Sequence, residues 1–114
     1  VPISQGRAIS KDLAEAARWY RRADAAGDPS GTNNLGALYR LGQGVPQDYA
    51  EAMRLFRKAA DNGNSMGLFN IGLLYELGLG VPRNVETASD YYLHASAQGN
   101  RQARERLQKL MESR

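Results

Sequence analysis

The chain repeats itself every 36 residues. Residues 29–64 and 65–100 share 14 identities in 36 aligned positions, where composition alone would give about two. All 12 glycines fall in recurring columns of this alignment, one of which holds Gly6, Gly42 and Gly78. Glycine at fixed spacing marks positions where the backbone needs a positive φ or where two helices approach closely. Two unrelated globular halves would not share this spacing, so the sequence predicts a repeat protein.

Each repeat divides into two predicted helices joined by a loop rich in glycine and proline. Apolar side chains recur every three to four residues over 48–62, where Asp48 stands in an N-cap position with Glu51 three residues later. Gly63 then acts as a stop signal. The loop 42–46 contains two glycines and a proline, which a helix cannot accommodate. The predicted helices span 12–26, 29–41, 48–62, 65–77, 84–98 and 101–112.

The two ends depart from the repeat pattern. Residues 1–11 align with the end of one helix and the loop of an earlier repeat, although Ala8 and Ser10 replace a glycine and a proline of the later copies. We therefore expect the chain to begin in mid-repeat. Together with the missing initiating Met, this indicates a piece of a longer protein. In the predicted helix 101–112, Gln108 occupies a glycine column, which favours a C-terminal capping helix with a polar outer face.

The predicted fold class is all-α. Six helices with alternating short and longer connections predict an α/α solenoid of stacked antiparallel helix pairs, with about three 36-residue repeats. We expect one domain, 1–114, made of a partial repeat 1–28, repeats 29–64 and 65–100, and a capping helix 101–114. The mid-helix glycines Gly36 and Gly72 predict close helix contact. The columns predicted to pack between helices include Leu35 and Ile71; Leu38 and Leu74; Tyr39 and Tyr75; Trp19, Leu55 and Tyr91; and Tyr20, Phe56 and Tyr92.

Residues that carry chemistry are sparse. The chain has no cysteine, and its one histidine is His94, so a zinc-type site lacks ligands. No acidic cluster of the calcium-loop kind occurs. The loop Gly42-Gln43-Gly44 lacks the Lys and Ser/Thr of a phosphate-binding loop, and its recurrence one repeat later indicates a structural turn. Because no nucleophile motif is present either, the sequence predicts no enzyme, no cofactor and no metal.

Basic residues cluster on two of the predicted helices. The net charge is only +3, which does not indicate a nucleic-acid binder. The clusters are in register and would form a stripe for nucleic acid or acidic lipid. The simpler interpretation is that they complement helix dipoles, because acidic residues begin the same helices. No stretch has the roughly 18 apolar residues of a membrane span. The clusters are Arg18, Arg21 and Arg22, then Arg54, Arg57 and Lys58.

These motifs resemble a known family. The run Asn34-Leu35-Gly36-Ala37-Leu38-Tyr39, the loop Gly42-Gln43-Gly44-Val45-Pro46 and the later Arg57-Lys58-Ala59-Ala60 resemble the Sel1-like repeat, and residues 70–84 repeat the first part of the pattern. The family is similar to the tetratricopeptide repeat. The resemblance implies a right-handed superhelix that scaffolds complexes, often in bacterial envelope, secretion or signalling contexts, without catalytic residues. It slightly favours an extracytoplasmic location, which the sequence otherwise leaves open.

Two functions fit this resemblance. The first is a scaffold that binds a partner protein or peptide in its concave groove, as a monomer or with weak self-association through the solenoid ends. The second is a non-catalytic module that binds peptidoglycan or another glycan. A glycan site would need exposed aromatic rings on the concave side, where Phe69 is the candidate.

The predicted groove centres on one apolar helix face. In tetratricopeptide-like solenoids the first helix of each pair lines the groove, and Met66, Phe69 and Leu73 follow the spacing i, i+3, i+7 there. This stripe is either a binding patch or packing. Asn34 and Asn70 either clamp a peptide backbone or bond neighbouring helices. The predicted groove residues are Asn34, Arg40, Met66, Phe69, Asn70, Leu73, Glu76, Glu105 and Lys109.

Overall fold

The computed structural model describes residues 3–113, with side chains from residue 11 onward. This part of the chain consists of α-helices without a strand, which confirms the all-α solenoid of about three repeats. Consecutive helices pack on one another, and α2 also contacts α4. The helices are α1 (Ile3–Ala25), α2 (Pro29–Leu41), α3 (Tyr49–Asp61), α4 (Ser65–Leu77), α5 (Val85–Ala97) and α6 (Arg101–Glu112).

The helix ends follow the predicted caps. The Asp48 carboxylate accepts a hydrogen bond from the backbone N–H of Glu51 at 3.0 Å, and Asn64, Asn84 and Asn100 cap their helices in the same way. Such caps satisfy backbone donors that a helix cannot pair internally. The residue after α2 and the residue after α4 are glycines in the left-handed region, with φ of 66° and 67°.

The mid-helix glycines allow the close contact between helices that the sequence predicts. A Cβ atom at Gly36 would lie 2.7 Å from the ring of Phe56, and one at Gly72 would lie 2.5 Å from the ring of Tyr92. Side-chain atoms do not approach this closely, so any larger residue would push the aromatic ring away. The glycine column therefore sets the distance between the two helices that meet across each loop.

The core lies between the helix pairs. Leu55 and Phe56 are fully buried, as predicted. Tyr39 and Tyr75 are only half-buried, because their rings extend to the edge of the core. The Tyr39 hydroxyl accepts a hydrogen bond from Arg21 at 2.8 Å, and the Tyr75 ring stacks on a neighbouring tyrosine ring with centroids 5.9 Å apart. Both tyrosines therefore pack against the core between helix pairs, as predicted, and keep an accessible part.

The first helix differs from the prediction. The loop expected before residue 12 is absent, because α1 runs without interruption from Ile3 to Ala25. Ala8 and Ser10 replace the glycine and proline that end helices in the later repeats, so the backbone has no reason to leave the helix there. Trp19 is also 65% exposed instead of packed. The buried Leu55 of the same column packs on the helix before α3, and within the described chain no such helix covers Trp19.

The last helix has a mixed outer face. Arg104, Gln108 and Glu112 make part of it polar, as expected for a cap, but Leu107 and Met111 line the same shallow hollow. Met111 is 66% exposed, so the outer face that was predicted to be polar is mixed. No described helix has the combination of length and apolar character that crossing a bilayer requires.

Candidate partner-binding groove

The predicted groove residues lie on α2, α4 and α6, the first helices of the pairs, on a side of each helix that is partly accessible. We call this side the groove face. On α4 it carries an apolar stripe, defined as Met66, Phe69, Leu73 and Leu77, whose spacing of three and four residues places it along one side of the helix. The first three side chains are half-buried, and Leu77 is 49% exposed. On α2, Leu41 occupies the column of Leu77 and is 47% exposed.

Phe69 serves the fold as well as the surface. Its ring lies 5.6 Å from the ring of Tyr92 at a tilt of 36°, so one side of it packs on the core between α4, α5 and α6. Leu73 packs against the same cluster of buried residues. Both side chains keep an accessible part. The base of the stripe is therefore packing, and its outer edge is accessible.

Asn70 is occupied inside the solenoid. Its side-chain Nδ2 donates a hydrogen bond to Oδ1 of Asn33 at 2.8 Å, and both residues are buried. The bond joins α2 to α4. Asn70 therefore bonds a neighbouring helix, which is one of the two interpretations of this residue. Asn34, one repeat earlier in the same column, is exposed and keeps an amide group at the groove face.

Glu76 belongs to a buried polar network on the same side of α4 as Phe69, since both side chains contact Tyr92. Its carboxylate accepts two hydrogen bonds from the guanidinium of Arg106 at 2.8 and 2.6 Å and one from the Tyr92 hydroxyl at 2.7 Å. Burial opposes ionisation of Glu76, but these donors outweigh it and hold the pKa of its carboxyl below the ordinary value. Burial and the adjacent carboxylate raise the pKa of Tyr92 well above its ordinary range. The network ties α4, α5 and α6 together.

The remaining predicted groove residues lie on α2 and α6. Glu105 and Lys109 on α6 are exposed. Arg40 on α2 is half-buried, and its Nε is buried without a hydrogen-bond partner. The groove face is therefore apolar on its central helix, with amide and charged groups on both sides.

Sequence reasoning missed the partners of Glu76. A usable signal exists in the repeat register, because Tyr92 replaces the Phe56 of the preceding repeat where Glu76 replaces Arg40. An acceptor and a hydroxyl donor thus enter the same repeat together. Arg106 likewise stands where the preceding repeats have Asn34 and Asn70. These three changes from the repeat pattern mark the network.

The basic clusters on the second helices are largely engaged with neighbouring side chains. Arg54 pairs with Glu51 at 2.6 Å and Lys58 with Asp24 at 2.8 Å. The pKa of the Glu51 carboxyl is lowered, chiefly by its hydrogen bond with Arg54. These contacts fit a solvated helix surface with local ion pairs. Among the described residues no group of three potential metal ligands comes together.

Known structures with similar folds carry the same repeat. A Sel1 repeat protein from Oxalobacter formigenes superposes with a TM-score of 0.80 at 37% identity, over 87% of this chain and 40% of that one. A protective antigen present in uropathogenic Escherichia coli strains, which displays an SLR fold, gives 0.77 at 35% identity, over 86% and 21%. Cysteine rich protein B of Helicobacter pylori, at 24% identity and a TM-score of 0.68 over 76% and 65%, shares the fold. The chain thus spans less than half the length of the first two.

The family comparison also finds consecutive repeats along the chain. The Sel1 repeat model matches residues 3–28, 29–64 and 65–100. A search of curated proteins found no match. Sel1 repeats are known for protein–protein interaction, and the scaffold that they form is generally non-catalytic. With three consecutive matches that cover most of its length, the chain belongs to the Sel1 repeat family.

Proposed function

We propose that the chain is an interaction module that binds a segment of a partner protein along the groove face. The observation that carries this proposal is the apolar stripe of α4, which ends in the exposed Leu77, together with the exposed Leu41 in the same column on α2. The first helices of the neighbouring pairs carry polar and charged residues, namely Asn34 and Arg40 on α2 and Glu105 and Lys109 on α6.

The physical argument is the anatomy of protein interfaces. A single exposed leucine is ordinary on a protein surface. Two leucines in one column, together with half-buried Met66 and Leu73, give a larger apolar area. Covering such an area removes apolar surface from water at about 25 cal/mol per Å², and a polar rim around an apolar centre is typical of binding sites. The groove face therefore fits an extended or helical segment with apolar anchor residues.

A protein segment fits better than a glycan. Flat sugar rings bind to exposed aromatic faces, and the aromatic ring on the groove face is Phe69, which packs on Tyr92. The exposed Trp19 lies on α1, away from this face, with Arg22 over its ring at 5.0 Å. The leucines Leu41 and Leu77 supply branched aliphatic surface instead, which suits apolar side chains of a peptide.

Replacing Leu77 with serine tests the groove. Peptides selected from a displayed random library against the whole chain would be titrated by fluorescence anisotropy against wild type and Leu77→Ser. We expect the dissociation constant to rise about fivefold or more, as for an anchor contact worth over 1 kcal/mol. Because Leu77 is half exposed, the fold should remain intact, as circular dichroism would show.

Leu93 offers a matched control on the opposite type of surface. It is 60% exposed on α5, a second helix of its pair. Leu93→Ser removes a similar apolar side chain away from the groove face and should leave peptide affinity unchanged. Peptides that lose affinity with Leu93→Ser and not with Leu77→Ser would place the binding surface on the second helices and refute the proposal.

A further inference from the structure

We propose that Arg40 is the receptor for an acidic side chain of the bound segment. This inference rests on the proposed function and names the chemistry that the groove recognises. It starts from one feature of α2, where the Arg40 Nε is buried and has no hydrogen-bond partner. Buried polar groups in folded proteins are nearly always paired, so an unpaired guanidinium nitrogen beside a binding face requires an explanation.

The repeat register shows what Arg40 lacks. Arg40 occupies the column of Glu76, and the residues equivalent to Glu76's two partners, Arg106 and Tyr92, are Asn70 and Phe56. Asn70 turns its amide to Asn33, and a phenyl ring has no oxygen atom to accept a hydrogen bond.

The other ion pairs of the described chain use different residues. The pairs formed by arginine and lysine involve Arg18, Arg54, Lys58 and Arg106. The Arg40 side chain takes part in none of them. The sequence of its own helix, α2, contains no aspartate or glutamate. Among the described residues, no ion pair therefore includes Arg40.

A carboxylate is the acceptor that best matches this site. A guanidinium forms two parallel hydrogen bonds with a carboxylate, and the same solenoid already contains that arrangement one repeat later, between Glu76 and Arg106. Arg40 is half-buried, so part of its side chain stays accessible although Nε does not, and the carboxylate would pair with the terminal nitrogens of the guanidinium. Leu41 follows it directly and is 47% exposed. A bound segment would thus place an aspartate or glutamate next to an apolar anchor residue.

The test uses the selected peptides and changes both sides of the pair. Each peptide would be synthesised with its acidic residue and with the matching amide, Glu→Gln or Asp→Asn, and titrated against wild type, Arg40→Gln and Arg40→Glu. In wild type the acidic peptide should bind at least fivefold more tightly than the amide peptide. Arg40→Gln should remove this preference, and Arg40→Glu should favour a peptide with lysine at that position.

Control variants separate this role from loss of folding or of general charge. Arg57→Gln removes an exposed arginine of α3 and should leave the acidic preference unchanged. If Arg40→Gln fails to fold, Arg40→Lys keeps the charge without the two-pronged geometry and should reduce the preference.

The two proposals fail in different ways. Peptides that depend on Leu77 but show no preference for an acidic residue would overturn the role of Arg40 and leave the groove in place. The role of Arg40 is also overturned if amidating the peptide C-terminus weakens binding while exchanging the internal acidic residue for its amide does not. Peptides that ignore every groove-face variant would overturn the proposed function itself.

Discussion

Replacing Leu55 with alanine is expected to lower the free energy of unfolding by about 2–5 kcal/mol. Leu55 is completely buried, and its Cβ lies 3.2 Å from the position that a Cβ at Gly36 would take. α2 and α3 are held at this distance by the glycine column, so they cannot move closer to fill the space that the lost side chain leaves. The substitution therefore loses apolar burial and creates a cavity at the same time. Urea unfolding followed by circular dichroism measures the effect.

Trp19 provides the control within the same repeat column. It stands where Leu55 stands one repeat later, but it is 65% exposed. Trp19→Ala should cost less than about 1 kcal/mol, mainly through the cation–π contact with Arg22. Equal losses for the two variants would show that the position in the repeat decides stability, whether or not a neighbouring helix covers the side chain. That result would contradict a core that depends on burial.

The contrast between Leu55 and Trp19 shows how far the sequence predicts the fold. Periodicity and glycine spacing identify which positions face a neighbouring helix, and they predicted five of the six helices to within a residue or two at their ends. Burial depends in addition on whether a neighbour is present. A repeat column assigns the same role to each of its members, so it cannot distinguish an interior helix from α1.

Loops were predictable wherever the backbone itself demanded them. Gly44 and Gly80 have φ of 75° and 73°, a conformation that favours glycine. A side chain at Gly80 would also meet Tyr49 of α3 at 2.5 Å. The loop expected before residue 12 does not form, because Ala8 and Ser10 replace its glycine and proline. The other residues that match the repeat pattern there do not force the backbone out of a helix.

The candidate groove was predictable in outline but not in its polar detail. Helical spacing located the apolar stripe of α4, because that signal lies within a single helix. The roles of Asn70, Glu76 and Arg40 depend on which side chain lies opposite on the next helix pair. Partners of this kind are 30 or more residues apart in sequence, and no local pattern records their distance or geometry. The structure was needed to show that two of these residues are paired and one is not.

Replacing Glu76 with glutamine is expected to destabilise the last repeat by about 1–3 kcal/mol. The change keeps the shape of the side chain but removes the charge that faces Arg106 and replaces one accepting oxygen with a donor. Removing one partner of a fully buried ion pair costs about 3–5 kcal/mol. The Arg106 side chain is 35% exposed, so water relieves part of that cost. Thermal or urea unfolding at neutral pH measures the loss.

Two further variants isolate the network. Glu51→Gln removes a carboxylate from an exposed pair with Arg54 and should cost about 0–1 kcal/mol. A double-mutant cycle with Glu76→Gln and Arg106→Gln should show that the two losses do not add, because the second substitution removes the charge that the first left unpaired. Fully additive losses would mean that the two side chains contribute independently, against the observed geometry.

The Glu76 contribution should also depend on pH in one direction. Its pKa in the folded chain lies below the ordinary value of 4.5, which its carboxyl regains on unfolding. The unfolded state therefore binds a proton first as the pH falls, and the stabilisation disappears as the pH passes down through the folded-state pKa. The stability difference between wild type and Glu76→Gln should be constant above about pH 6 and shrink on acidification below 4.5. Taking the difference cancels other carboxylates with lowered pKa, such as Asp24. A difference that persists or grows in acid would show that Glu76 acts through its shape or its packing and not through its charge.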